Sequence, residues 1–210
     1  MRQVRSLILL CIGFFSINAV WAHPHAFIDM QTQFLIKDQQ LIGLRMAWLF
    51  DEAASSELIY ELKISKNPVE TKQQMSDTIM QNIVNQHYFS YFYDSQKIPL
   101  KYTSKPDQYE LNVIGNHILF SFNFYLSQSQ PIHNFHGTLS SYDPSYYVAM
   151  TYPQAPARTI ADYPQCQVTL QTPNVDQKLK DYAASLDKSQ KDEDMTLGAL
   201  FAQQVVLSCQ

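Results

Sequence analysis

Two runs near the start of the chain alternate apolar and polar positions, residues 26–36 cleanly and residues 41–50 less so, with Lys37-Asp38-Gln39-Gln40 between them. Alternation with period two sets one face of an extended chain against a core, so the pair predicts an antiparallel hairpin closed by a tight turn. Asp51 suits a helix N-cap, ahead of helical composition over residues 52–63. Asn67-Pro68 breaks that pattern. A second helix is predicted over residues 71–87, with Met75, Ile79, Ile83 and Val84 spaced for one buried face.

From residue 88 the texture changes to short aromatic or β-branched runs. Residues 88–93, 98–103, 109–113, 118–126, 133–142, 146–152 and 165–171 read as strands, punctuated by turns such as Asp94-Ser95-Gln96, Lys105-Pro106-Asp107 and Gly115-Asn116. The Pro-rich stretch 153–164 reads as a surface excursion. A polar helix follows over roughly residues 175–190. Residues 197–207 read as helix, strand or one leading into the other. The sum is one α+β domain, a mostly antiparallel β-sheet with helices inserted after the first hairpin and near the C-terminus.

The first 22 residues add a destination. Arg2 and Arg5 make a positive start, residues 7–20 are mostly apolar, and Val20-Trp21-Ala22 offers a cleavage site. This reads as a cleavable secretory signal, so residues 23–210 are expected to form a single periplasmic domain that begins at His23. The apolar run is shorter than a membrane-spanning helix needs, and no later stretch approaches that length. Losing Arg2 and Arg5, and no acidic residue, takes the formal charge from −4 to −6. That balance argues against nucleic acid and anionic membranes as partners and suits attraction of cations. Of the three cysteines, Cys11 leaves with the signal. Cys166 and Cys209 remain, an even count that predicts one disulfide in an oxidising compartment, the alternative being two free thiols.

Cleavage would also create the most informative motif, an N-terminus that reads His23-Pro24-His25-Ala26-Phe27-Ile28-Asp29. An N-terminal histidine offers two nitrogens, its α-amine and its imidazole, that can chelate one transition metal. Pro24 has no amide proton to lose, which blocks the square-planar amide chelate otherwise open to such a sequence. His25 lies on the same face of an extended chain, about 6.7 Å along, and can supply a third nitrogen. Asp29 is too far along, about 13 Å, to reach the same ion. If Asp38-Gln39 is a two-residue turn, Phe27 lies opposite Phe50 and His25 opposite Glu52, which brings Asp51 and Glu52 beside the histidines. A one-residue slip would remove that placement. Asp51 also has a plainer reading as a helix cap only.

Elsewhere the structural readings are stronger. His87 ends an amphipathic helix and His117 sits in a turn. His133 and His136, three apart in a strand, would face opposite sides. Asp143, in Tyr142-Asp143-Pro144-Ser145-Tyr146-Tyr147, reads first as a turn former and second as a metal ligand. No Gly-rich phosphate loop, Gly-x-Ser-x-Gly elbow or His-Glu-x-x-His helix is present. Nothing in the chain asks for an enzyme.

Several of these segments together resemble a known family, an uncharacterised group of exported bacterial proteins described as domain of unknown function 1007. The resemblance rests on His23-Pro24-His25 with Asp29, Trp48-x-Phe50-Asp51-Glu52 and Tyr88-Phe89. It continues through Tyr142-Asp143-Pro144-Ser145-Tyr146-Tyr147 to Leu197-Gly198-Ala199-Leu200-Phe201-Ala202 and the terminal Cys209. It implies a periplasmic accessory of nickel, cobalt or zinc transport, with an inner-membrane metal transporter or exporter as partner. The chain departs from the family pattern at Phe27, where tryptophan is common. It also lacks, over residues 64–71, the calcium-loop-like sequence of many relatives, so no calcium site is expected there.

The expected function is therefore a transition-metal-binding accessory protein. Its site would draw on His23, His25, Asp51, Glu52 and Asp143 and hold a divalent ion (zinc, nickel, cobalt or copper). A metal-free interaction domain and a copper enzyme with an N-terminal histidine clasp are the alternatives. Nitrogen-rich ligation alone does not separate the metals.

Overall fold

The computed structural model describes residues 24–154, 156, 159–160, 162–186 and 195–210. His23 and the predicted signal lie outside them, as do residues 187–194, into which the predicted polar helix extends.

The hairpin forms as the alternation predicts. Strand β1 (Ala26–Lys37) buries Ile28, Met30 and Phe34, keeps Thr32 half-buried on the same face, and exposes Asp29, Gln31 and Gln33. It pairs antiparallel with β2 (Gln40–Phe50), which buries Leu44, Met46 and Trp48. Asp38 and Gln39 both take positive φ, 49° and 61°, as a two-residue turn that follows strand twist requires. The register differs from expectation beyond the turn. Lys37 pairs with Gln40 and Ile36 with Leu41, but Leu35 pairs with Gly43, so Ile42 is an extra residue in β2. This bulge shifts everything after it by one position and puts Ile28, not Phe27, opposite Phe50. His25 consequently does not face Glu52. Turn chemistry alone did not reveal the bulge, which shows in β2 as a change of phase, with Leu41 buried and then Leu44, Met46 and Trp48.

Helix α1 (Glu52–Ile64) starts at its Asp51 cap, and α2 (Pro68–Asn85) starts three residues before the expected position at Thr71. Asn67 caps α2 through Glu70 N, and Pro68 takes the first helical position, where its missing N–H costs nothing. The next residues correct the strand expected over 88–93. His87, Tyr88 and Phe89 take φ of 51°, 59° and 49° in a left-handed turn, and β3 begins only at Ser90 (Ser90–Asp94). Left-handed backbone costs a side-chain-bearing residue about 1–2 kcal/mol. Tertiary contacts hold it: the Tyr88 ring stacks on Phe124 at 4.3 Å, and its hydroxyl donates to the Thr103 carbonyl at 2.7 Å.

Two five-stranded sheets follow. The first has the order β4-β5-β2-β1-β7, with β4 (Asp107–Ile114), β5 (His117–Pro131) and β7 (Val148–Thr151). The second has the order β3-β6-β10-β9-β8, with β6 (His136–Ser141), β8 (Thr159–Ile160), β9 (Tyr163–Gln171) and β10 (Gln204–Cys209). All pairs are antiparallel except β1 with β7. Two short helices, α3 (Gln177–Ser185) and α4 (Leu197–Phe201), complete an α+β domain. Residues 197–207 thus run from helix into strand. Residues 98–103 form only isolated bridges, Tyr93 to Pro99 and Tyr102 to Leu126. His133 sits in a turn with Asn134 at φ 54°, so it shares no strand with His136.

One continuous core joins both sheets and the first two helices. Phe34 of β1 meets Phe92 of β3 at 5.8 Å, and Ile59, Met75, Met80 and Ile83 close the core from the helical side. Phe120, Phe122 and Phe124 on β5 are fully buried, with Trp48 edge-on to Phe122 at 5.0 Å. No helix among the described residues is long and apolar enough to cross a membrane.

Cys166 and Cys209 form the disulfide, joining paired positions of β9 and β10 across 43 residues. Replacing both with serine should destabilise the fold by about 4 kcal/mol, since a loop of this length gains that much chain entropy on opening. Urea unfolding of the two proteins under non-reducing conditions measures the difference. A second expectation concerns alkali. Burial pushes the Tyr88 phenol up to about 12, and burial with the neighbouring Tyr91 and Tyr93 does the same for Tyr142. Unfolded phenols ionise near pH 10, so the folded state holds these protons longer. The stability they contribute is complete below about pH 10 and is lost as pH climbs toward 12. Tyrosinate absorbance should rise cooperatively with unfolding across that window.

Candidate functional site

The segments that stood out in the sequence meet at one end of the molecule, where β1 begins. Asp51 organises it. One carboxylate oxygen accepts from Ala54 N at 2.7 Å, capping α1, and the other accepts from Phe27 N at 2.6 Å. Asp51 N returns a bond to Phe27 O at 3.0 Å. The start of β1 is thereby fixed to the start of α1. On its other side the same stretch is held by β7 and the turn before it. His25 N donates to Tyr147 O at 2.9 Å, and the His25 ring packs on the Tyr147 ring with centroids 4.7 Å apart.

That turn, Tyr142 to Tyr147, is shaped by Asp143. Its carboxylate accepts from Ser145 N at 3.1 Å, Ser145 Oγ at 2.9 Å and Val148 N at 3.1 Å. A short polar side chain that bonds backbone two residues on is the physics of an Asx turn. The turn in turn rests on α4. Gly198 N donates to Pro144 O, and a side-chain carbon at Gly198 would sit on the Asp143 carbonyl oxygen. Only glycine permits that approach. Tyr146 lies against Phe201 of α4, rings stacked at 4.2 Å.

The predicted site residues divide accordingly. His25, Asp51 and Asp143 come to the same end of the fold. Asp51 and Asp143 spend their carboxylate oxygens on hydrogen-bond donors of the scaffold. Glu52 turns to His117, with Nε2 and a carboxylate oxygen 3.8 Å apart, while His117 Nδ1 lies 2.8 Å from Phe50 O. Asp29 lies farther along β1 and accepts from Thr151 Oγ1 at 3.5 Å. Among the described residues no group of three or more His, Cys, Asp or Glu side chains is placed to hold a metal ion.

A cavity of about 270 Å³ opens beside this end, between the strands and helices α1 and α2. Its wall takes residues from the separate motifs: Ala26, Trp48, Phe89 and Asp143 all line it. Sequence reading found these motifs without finding the cavity. The available signal was a tryptophan on the inward face of β2, three residues before the capping aspartate.

The architecture is that of a two-sheet α+β domain with its first strand anchored between a capped helix and a glycine-backed turn. The chain belongs to the family of proteins of unknown function DUF1007, whose model matches residues 7–209. It is 45% identical over 202 residues to an uncharacterized protein of Haemophilus influenzae, covering 96% of this chain and 98% of that one. No solved structure matches it.

The double role of Asp51 yields a graded expectation. Asp51→Ala removes the helix cap, worth about 1 kcal/mol, and a charge-assisted bond to Phe27, worth about 2 kcal/mol. Asp51→Ser can still cap α1 but cannot reach both donors, so its loss should be roughly 1–2 kcal/mol. Urea unfolding orders the three proteins, and faster hydrogen exchange at the Phe27 amide in both variants locates the effect.

Proposed function

We propose that this protein is a periplasmic accessory of transition-metal transport that holds one divalent ion at an N-terminus beginning with His23. The α-amine and imidazole of His23 and the imidazole of His25 form the nitrogen set. The observation that supports this reading is the anchoring of His25. Its backbone is tied to Tyr147 O and its ring is packed on Tyr147. A chelating terminus two residues before such an anchor loses less freedom on binding metal than a free tail would.

The chemistry of the neighbours fits a supporting role. Asp51 and Asp143 already accept hydrogen bonds at both oxygens, so they hold the scaffold and add negative charge rather than direct bonds to the ion. Glu52, exposed at the first turn of α1, is the carboxylate with unused acceptor capacity. Neutral nitrogen ligands suit zinc, nickel, cobalt and copper(II) alike. A three-nitrogen site leaves coordination positions open, and an ion held that way can pass to the next ligand set on an inner-membrane transporter. The reading is of binding and delivery, with no reaction catalysed.

The test is metal binding by protein exported and processed so that His23 is the true N-terminus. We expect one ion per chain. One additional residue before His23, or the substitution His25→Ala, should weaken binding at least about tenfold, the cost of a lost ligand. Affinity should also fall as pH drops below the amine range near 8, because the proton competes for the ligand. Equal binding by the processed and extended proteins would remove the terminal clasp. Absence of binding in both would leave a metal-free interaction domain as the reading.

A further inference from the structure

A second cavity carries an inference independent of any metal. It measures about 700 Å³, within the range of roughly 300–1,000 Å³ usual for ligand pockets. Three elements frame it. One is β3, the outermost strand of the second sheet. Another is the end of α2 with His87 and Tyr88 of the left-handed turn. The last is residues 99–104, which cross from one sheet to the other. Leu100 N donates to Phe92 O of β3 at 2.8 Å, and farther on Thr103 N donates to Tyr125 O of β5 at 2.9 Å. Between those ties, Lys101 O accepts from Ser127 N at 2.7 Å. The backbone that carries Lys101 is thus pinned at both ends.

The lining is held in place before any ligand arrives. Tyr88 stacks on Phe124, and Tyr102 meets both rings edge-on, Tyr88 at 5.7 Å and Phe124 at 4.8 Å. Tyr91 stacks on Tyr142 at 4.3 Å. Tyr93 differs. It is 39% exposed, and among the described residues its ring stacks on no other and its hydroxyl makes no hydrogen bond. A fixed wall with one unpaired aromatic ring offers a ligand surface at little ordering cost. The strained turn belongs to the same wall. Three left-handed residues place Tyr88 there, and backbone strain of that kind gathers at ligand sites.

Charge selects the ligand. Lys101 is the only residue of fixed charge in the lining, which holds no carboxylate. It belongs to a run, residues 95–106, with three lysines (Lys97, Lys101 and Lys105) and no acidic residue, in a chain of net charge −4. None of the three forms an ion pair among the described residues. Asp94, the acidic residue just before the run, accepts at Oδ1 from the amides of Gln96 and Ile98. A cation here meets only like charge, and one lysine balances one negative charge. We propose that this cavity binds a small molecule with a flat apolar body and a single carboxylate, the body against Tyr93 and the carboxylate on Lys101. Apolar burial supplies the affinity, and the ammonium selects the acid over its neutral counterpart.

Naphthalene-2-carboxylate and naphthalene-2-carboxamide have nearly the same shape and differ in charge, so the pair tests the idea. In proton–nitrogen spectra of the full chain we expect the carboxylate to move the amide signals of Tyr93, Lys101 and Thr103 saturably. At low salt it should bind about fivefold tighter than the carboxamide, the upper worth of an exposed ion pair. That preference should vanish at about 1 M sodium chloride, where the screening length falls to about 3 Å. Lys101→Met keeps the apolar stem and removes the charge, so it should make the two probes equal. Tyr93→Ala should weaken both at least about threefold while far-UV circular dichroism is kept. The proposal fails if the carboxylate gives no saturable shift or binds no tighter than the carboxamide. It fails equally if the preference survives Lys101→Met, or if Tyr93→Ala leaves both affinities as they were.

Discussion

Both oxygens of one carboxylate hold the working end of this molecule together. Asp51 accepts from the Ala54 amide that opens α1 and from the Phe27 amide that opens β1. A helix start leaves several N–H groups without intrahelical partners, and a negative oxygen there answers both the missing bond and the positive end of the helix. The second bond is the unusual part. It makes the entry of the first strand and the entry of the first helix a single joint, reinforced by the return bond from Asp51 N to Phe27 O. The helical roof over Trp48 and the path of the chain before Ala26 both inherit their position from it.

The opposite wall depends on a close approach that tolerates no side chain. Gly198 lies against the Asp143 carbonyl, which lets α4 support the Tyr142–Tyr147 turn from behind. The turn then presents Tyr147 to His25 and Val148 to the parallel pairing with Ala26. The cavity lies between the two walls, with the start of α1 tied to β1 on one side and the start of β7 tied to the Asp143 turn on the other.

The aromatic interior deals with a different cost. Three successive left-handed residues, His87 to Phe89, deliver Tyr88 into the core, where it stacks on Phe124 and donates to Thr103. Nothing local favours that backbone, since aromatic side chains resist it. It exists because a buried ring and a satisfied hydroxyl outweigh about 1–2 kcal/mol per residue. The same turn places Phe89 against Trp48 and in the cavity wall, so strain in the backbone contributes to the shape of the site.

The sequence alone determined what depends on neighbours along the chain. Period-two alternation marked β1 and β2, Asp51 announced α1, and two cysteines among residues 23–210 announced the bridge that Cys166 and Cys209 form. Tertiary structure decided what depends on partners far apart in sequence. The bulge at Ile42 moved the hairpin register by one and took Glu52 away from His25, because the pairing beyond the turn depends on both strands and not on the turn residues alone. The strand expected at Tyr88 became a left-handed turn, and residues 98–103 stayed outside a sheet, because core packing set their backbone. The second bond of Asp51 and the glycine contact at Asp143 were likewise invisible in the sequence. Each is a distance between residues at least 24 positions apart, and spacing along a chain does not encode it.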